Sequence, residues 1–201
     1  SGRASFAGTG TNSSNSKGYN AGGAGDSTLN SLIPGYSTYD ATVLSFDFTS
    51  SGDSAYFNYA FASDEYPEWV GSSYNDVFGF FINGENVALI PGTETPVAIN
   101  TISGQSNPYL YNNNPRNGGN SPYAFEYDGF TDVFTAEITG LEPGQVYNIR
   151  MGIADAGDGI YDSAVFLESG SFSQAPVDPT PSPEPSTTLL MVISVSCIVF
   201  R

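Results

Sequence analysis

Apolar residues in this chain recur at every second position, in short runs, and that period decides what it can fold into. "TVLSFDFTS" sets Val43, Ser45 and Asp47 on one face and Leu44, Phe46 and Phe48 on the other. "SAYFNYAFAS" sets Tyr56, Asn58 and Ala60 opposite Phe57, Tyr59 and Phe61. Such alternation is the mark of a strand. "DVFGFFING" closes on Asn83-Gly84, the pair that most favours a tight hairpin, and "NVALI" follows directly. Further strands are expected at "PVAINTI", "VFTAEITG", "VYNIRMGIAD" and "AVFLESGSF". No segment sustains a helical period between caps. The expected fold is all-β: an antiparallel β-sandwich or jelly-roll-like domain.

The chain divides by composition. Residues 1–36 are small and polar, an irregular amino-terminal arm with a short turn around Leu29 to Ile33. Residues 37–173 carry the sandwich, interrupted by the long Asn/Gly/Pro-rich loop "SGQSNPYLYNNNPRNGGNSPYAFEY". Residues 174–187 form a proline-rich spacer, expected to be extended and stiff. Residues 188–201 are an apolar tail ending on Arg201.

Charge excludes several partners. Twenty-one acidic residues face five basic ones, a formal net charge of -16 over 201 residues. A phosphate backbone and anionic lipid headgroups are both repelled, so nucleic-acid binding is not expected. There is no histidine, and the single cysteine, Cys197, lies in the tail. Intramolecular disulfides and cysteine-based zinc sites are therefore excluded. Without histidine, and with Lys17 the only lysine, no serine has an obvious base, so no catalytic residue is assigned and an enzyme is not expected. Low charge content with abundant Ser, Asn, Gly, Thr and Tyr suits an extracellular, secreted protein, and a chain starting at Ser1 fits removal of a signal peptide.

Two acidic clusters stand out. "ASDEYPEWVGSSYND" offers Asp64, Glu65, Glu68 and Asp76 around a proline bend, and "IADAGDGIYDS" offers Asp155, Asp158 and Asp162 in a glycine-containing loop. Closely spaced loop carboxylates with backbone carbonyls suit calcium, which takes roughly six to eight oxygen ligands. The competing reading is that these aspartates cap turns. Calcium held by Asp64, Glu65, Asp76, Asp155, Asp158 and Asp162 is the expectation carried forward.

The run "AFASDEYPEWVGSSYNDVFGFFING", then "NVALIPGTETPVAIN", "YDGFT" and "IADAGDGIYDSAVFLESGSF" together resemble the choice-of-anchor L domain of bacterial surface and secreted proteins. The resemblance spans about Tyr39 to Phe172. It implies an extracellular β-rich module without an established enzymatic activity, and it assigns no ligand. The tail resembles a second element, the PEP-CTERM sorting signal: Pro183, Glu184 and Pro185 match its motif, and Leu189 to Phe200 match its apolar segment. As a helix that segment rises about 18 Å, short of a hydrocarbon core of about 30 Å, so any membrane contact is expected to be transient.

Read as a strand, the tail puts Leu189, Met191, Ile193, Val195, Cys197 and Val199 on one unbroken apolar face. The expected role is a structural protein of the cell surface or matrix. It assembles with copies of itself into a filament by donating this strand, and calcium stabilises it. The alternative is an envelope-anchored module that binds glycans or another surface, in which aromatics such as Trp69 and Tyr74 line a groove.

Overall fold

The computed structural model describes residues 1–8, 10–116, 123–179 and 191–192. Its strands are β1 (Thr38–Thr49), β2 (Ser54–Ser63), β3 (Val77–Ile82), β4 (Glu85–Asn86), β5 (Tyr111–Asn113), β6 (Gly129–Thr131), β7 (Phe134–Thr139), β8 (Val146–Ala156), β9 (Ser163–Leu167) and β10 (Met191–Val192). One sheet runs β1-β8-β3-β4; the other runs β10-β9-β2-β6-β5, with β7 also on β2. Every pairing is antiparallel, so the fold is the β-sandwich that the alternating runs predict.

The main core lies between the sheets. Phe57, Tyr59 and Phe61 of β2 meet Phe78 and Phe80 of β3 and Ile149 and Met151 of β8. A fully buried side chain of this size stabilises by about 1.5–3 kcal/mol. Both sheets are also covered outside. Leu29 and Ile33 pack on Val77, Phe81 and Ala154 of the first sheet. Ala7 and Tyr127 pack on Ala62, Phe130 and Phe166 of the second. Cover on both faces explains why all six positions of β3, "VFGFFI", are buried although a half-exposed strand would alternate.

The Asn83-Gly84 turn forms as expected, with φ of 47° and 92° joining β3 to β4. "NVALI" and "PVAINTI" depart from expectation. The first contributes only its opening asparagine to β4, and the second forms no strand. Its apolar residues Val97, Ala98, Ile99 and Ile102 are fully buried, but the Thr101 hydroxyl donates to the carbonyls of Pro96 and Ala98 and accepts from the Ala98 amide. A side chain that satisfies the backbone locally competes with a ladder and folds the segment into a turn. The Leu44–Phe46–Phe48 face is only partly covered, with Phe46 exposed, because β1 is an edge strand.

The turn expected near Leu29 is a short helix, α1 (Ser27–Leu32). Asp26 caps it, accepting from the Thr28 and Leu29 amides at 2.9 and 3.0 Å, and its other oxygen accepts from Arg150 of β8. Asp26→Ala removes the cap and the tether together. It is expected to destabilise by about 1–2 kcal/mol, read as a lower midpoint in urea with an unchanged slope.

Met191 and Val192 pair with Leu167 and Phe166 of β9, so this piece of the tail extends the second sheet of its own chain. The expectations for Leu189, Ile193, Val195, Cys197 and Val199, and for Pro183, Glu184 and Pro185, lie outside the described residues. No helix among the described residues is long and apolar enough to cross a membrane.

Candidate metal centre

One end of the sandwich collects carboxylates because several strands begin or end there next to an aspartate. In the second sheet Ser63 lies opposite both Gly129 and Ser163. One residue further, the Asp64 amide donates to the Asp162 carbonyl at 3.1 Å, and the Asn114 amide donates to the Asp128 carbonyl at 2.8 Å. The register therefore sets Asp162, Asp64 and Asp128 abreast on neighbouring strand ends. They point to the same side as Ala164, Ala62 and Phe130 two residues along, the outer side under the arm. In the first sheet Val77 lies opposite Ala154, and the Asn75 amide donates to the Ala156 carbonyl at 3.3 Å, which carries the register on and sets Asp76 beside Asp155. These point inward, as Phe78 and Ile153 do, toward the space between the sheets. There the Ser163 hydroxyl donates to Asp76 Oδ2 at 2.6 Å, joining the two sheets.

Like charges directly opposite across strands repel, and burial worsens the cost. Asp64, Asp76 and Asp162 are fully buried, and Glu65, Asp128 and Asp155 are at most 2% exposed. Both carboxylate oxygens of Asp64, Asp155 and Asp162, and one each of Glu65 and Asp128, have no hydrogen-bond partner. The Asp128 amide lies toward Asp64, and the Tyr19 and Arg3 amides lie toward Asp162, without making bonds of normal geometry. The Ser1 amino group donates to the Ser163 carbonyl at 2.8 Å and brings one positive charge toward Asp155, Asp162 and Asp76.

Proton affinities reflect this setting. Burial, then Asp128, pushes the Asp64 carboxyl up to about 9. Burial, then Asp76, does the same to Asp155, also to about 9. Asp76 rises to about 8 by burial and the nearby Glu65, although Ser163 and the Ala156 amide pull it back. Glu65 rises to about 8, through burial and the charges of Asp158 and Asp155. Burial also raises Asp128 to about 7 and Asp162 to about 6.

The six residues expected as ligands do not form one loop site. Glu65, Asp76 and Asp155 gather toward the space between the sheets, whereas Asp64 and Asp162 lie abreast on the outer side. Asp76 has both oxygens hydrogen-bonded, to Ala156 and Ser163. Asp158 is half-exposed and accepts from the Ile160 amide at 3.1 Å, the turn-capping role an aspartate often takes. Asp128 was not legible as a site residue, since "EYDGFT" holds one other carboxylate, Glu126, and only strand pairing brings Asp128 to Asp64. Among the described residues no three acidic side chains already converge as a metal cage. A hard cation here would draw on two carboxylates and complete its shell from carbonyl oxygens and water, an ordinary calcium arrangement.

Beside this end lies a small cleft of about 130 Å³ lined by Glu65, Trp69, Tyr74, Asp158, Ile160 and Tyr161. Trp69 is exposed and sits edge-on to Tyr74, with ring centroids 5.1 Å apart.

Neither the curated proteins nor the solved structures give a match to the chain. The family model of the choice-of-anchor L domain, a domain of bacterial surface proteins, matches residues 1–173, taking in the arm as well as the sandwich. With that match covering most of the sequence, the chain belongs to the choice-of-anchor L domain family.

Proposed function

We propose that this chain is an extracellular structural protein, not an enzyme, whose sandwich is stabilised by calcium and whose tail joins it to copies of itself. The observation that carries the calcium reading is the set of buried, unpartnered carboxylate oxygens on Glu65 and Asp155, beside Asp76. Buried charges in proteins are normally paired or bound to a metal. The one charge that the Ser1 amino group brings does not balance three carboxylates, and calcium between the sheets would supply the rest and tie β3 and β8 to the bend after β2. Exchange of chelator for calcium is therefore expected to raise the melting temperature, and an unchanged value would count against the reading.

Two observations support assembly. The β9 edge accepts Met191–Val192 as a further strand. Beside it lies a cavity of about 460 Å³ whose lining includes Leu44, Phe78, Met151 and Val165 of the two sheets and Ser1 to Ser5 of the arm. A strand laid along that edge gains backbone hydrogen bonds, and alternate side chains fill the groove. The spacer, at about 3.1 Å per extended residue, reaches about 40 Å, enough for the tail to enter another copy instead of its own. Head-to-tail exchange that does not close into a ring makes a filament. Val195→Asp puts a charge on the apolar face and is expected to abolish filaments in electron micrographs while circular dichroism remains that of a folded sandwich. Filaments that persist in the variant, or a mature chain that mass spectrometry shows cut near Pro185, contradict donation.

A second reading rests on the Trp69 cleft. An exposed indole with two tyrosines and two carboxylates suits stacking and hydrogen bonding to a sugar ring. Binding to an oligosaccharide array that Trp69→Ala removes would favour a glycan-binding surface module.

A further inference from the structure

We propose that Asp64 and Asp128, with Asp162 beside them, form a second cation site on the outer side of the β9-β2-β6 sheet, for a calcium-like divalent ion that clamps the amino-terminal arm. It is distinct from the inter-sheet cluster, because Asp64 lies on the outer side of the second sheet, whereas Asp155 of β8 in the first sheet points into the space between the sheets.

Strand pairing sets three aspartates abreast, and nothing in the local sequence avoids that juxtaposition. Asp64 is fully buried with neither oxygen partnered, and the free Oδ2 of the buried Asp128 belongs to its immediate neighbour. Two adjacent carboxylates with spare lone pairs in a dry setting are a ligand pair for a hard cation, which prefers oxygen donors. Left empty, the same pair is two like charges that burial forces together.

The arm is fastened around this position. Fully buried Asn12 donates through Nδ2 to Asp128 Oδ1 and to the Asn114 carbonyl. Ser13 donates through its amide and hydroxyl to Glu126, at 2.9 Å each. The Asp162 amide donates to the carbonyl of Lys17 at 3.4 Å. Fixing Asp64, Asp128 and Asp162 with one ion therefore fixes the groups that hold residues 12 to 17. Loss of the ion loosens that segment, since Asp128 and Asp162, which hold Asn12 and Lys17, then flank Asp64 as like charges.

Lys17 is the only lysine in the chain, so a lysine-specific protease has one site, within this segment. In the full-length protein, calcium is expected to slow cleavage after Lys17 by at least about tenfold relative to chelator. Asp128→Asn and Asp64→Asn are each expected to abolish that protection, whereas Asp155→Asn retains it. Titration calorimetry with calcium alone is expected to give two ions per chain in the wild type and one in Asp128→Asn. Circular dichroism identifies a variant that fails to fold, and the other rung variant then carries the test. A wild type that binds one ion, lost in Asp155→Asn but kept in Asp128→Asn, with cleavage insensitive to calcium, overturns this site and leaves the inter-sheet reading standing. No binding in the wild type overturns both.

Discussion

In chelator, the folded protein is expected to lose stability steadily as pH rises from about 4 to about 9, and calcium is expected to remove or reverse that slope. The sign follows from the raised proton affinities. Asp64 and Asp155 titrate near 9 in the fold, Asp76 and Glu65 near 8, and Asp128 near 7, whereas unfolded carboxyls titrate near about 4. Between those limits the native state holds more protons than the unfolded state, so unfolding becomes easier as pH rises. Below about 4 both states are protonated and the contribution is fully present; above about 9 it is lost. One group held protonated from pH 5 to pH 8 is worth about 4 kcal/mol, or about 10 °C in Tm for a domain of this size. A fall of at least that much is expected in thermal scans with chelator. Calcium bound to the deprotonated carboxylates at a thousand times its Kd would stabilise the native state by about 4 kcal/mol. A metal-free protein whose Tm rises from pH 5 to pH 8 would contradict this view of the site.

Asp155→Asn is expected to change sign with the metal. At pH 8 in chelator the substitution removes one of the buried, unpartnered carboxylates facing Asp76, so Tm should rise by about 5–10 °C. In calcium the same variant should fall below the wild type, because it has lost a ligand. Asp158→Asn provides the contrast. That side chain caps a half-exposed turn, so its effect should stay within about 0.5 kcal/mol in either condition. A variant at Asp155 that is destabilised equally with and without calcium would mean that this carboxylate serves the fold alone.

The sandwich was legible from residues such as Tyr56 to Phe61 and from the Asn83-Gly84 turn, because period and turn chemistry are local properties. "PVAINTI" was not, since a short apolar run reads alike as a strand or a buried turn, and the Thr101 hydroxyl decides between them. The acidic end was half legible. Clustering in sequence pointed to Asp64, next to Glu65, and to Asp155, which shares a short loop with Asp158 and Asp162. It also grouped Asp155 with Asp162, which strand pairing sends to different sides. Asp128 has no acidic neighbour within one residue, and its place beside Asp64 depends on the register of β2 with β6. The arm looked detached because its residues are small and polar. Its attachment runs through hydrogen bonds from Asn12 and Ser13 to carboxylates more than a hundred residues away.

The carboxylate end of this sandwich is expected to hold calcium, and native mass spectrometry of the full-length protein, purified and then dialysed against micromolar calcium, counts the bound ions. Bound calcium on the folded charge states, at two ions per chain, released by chelator and reduced in both Asp155→Asn and Asp128→Asn, is the predicted result. Folded wild-type protein at its bare mass under the same conditions would contradict the account.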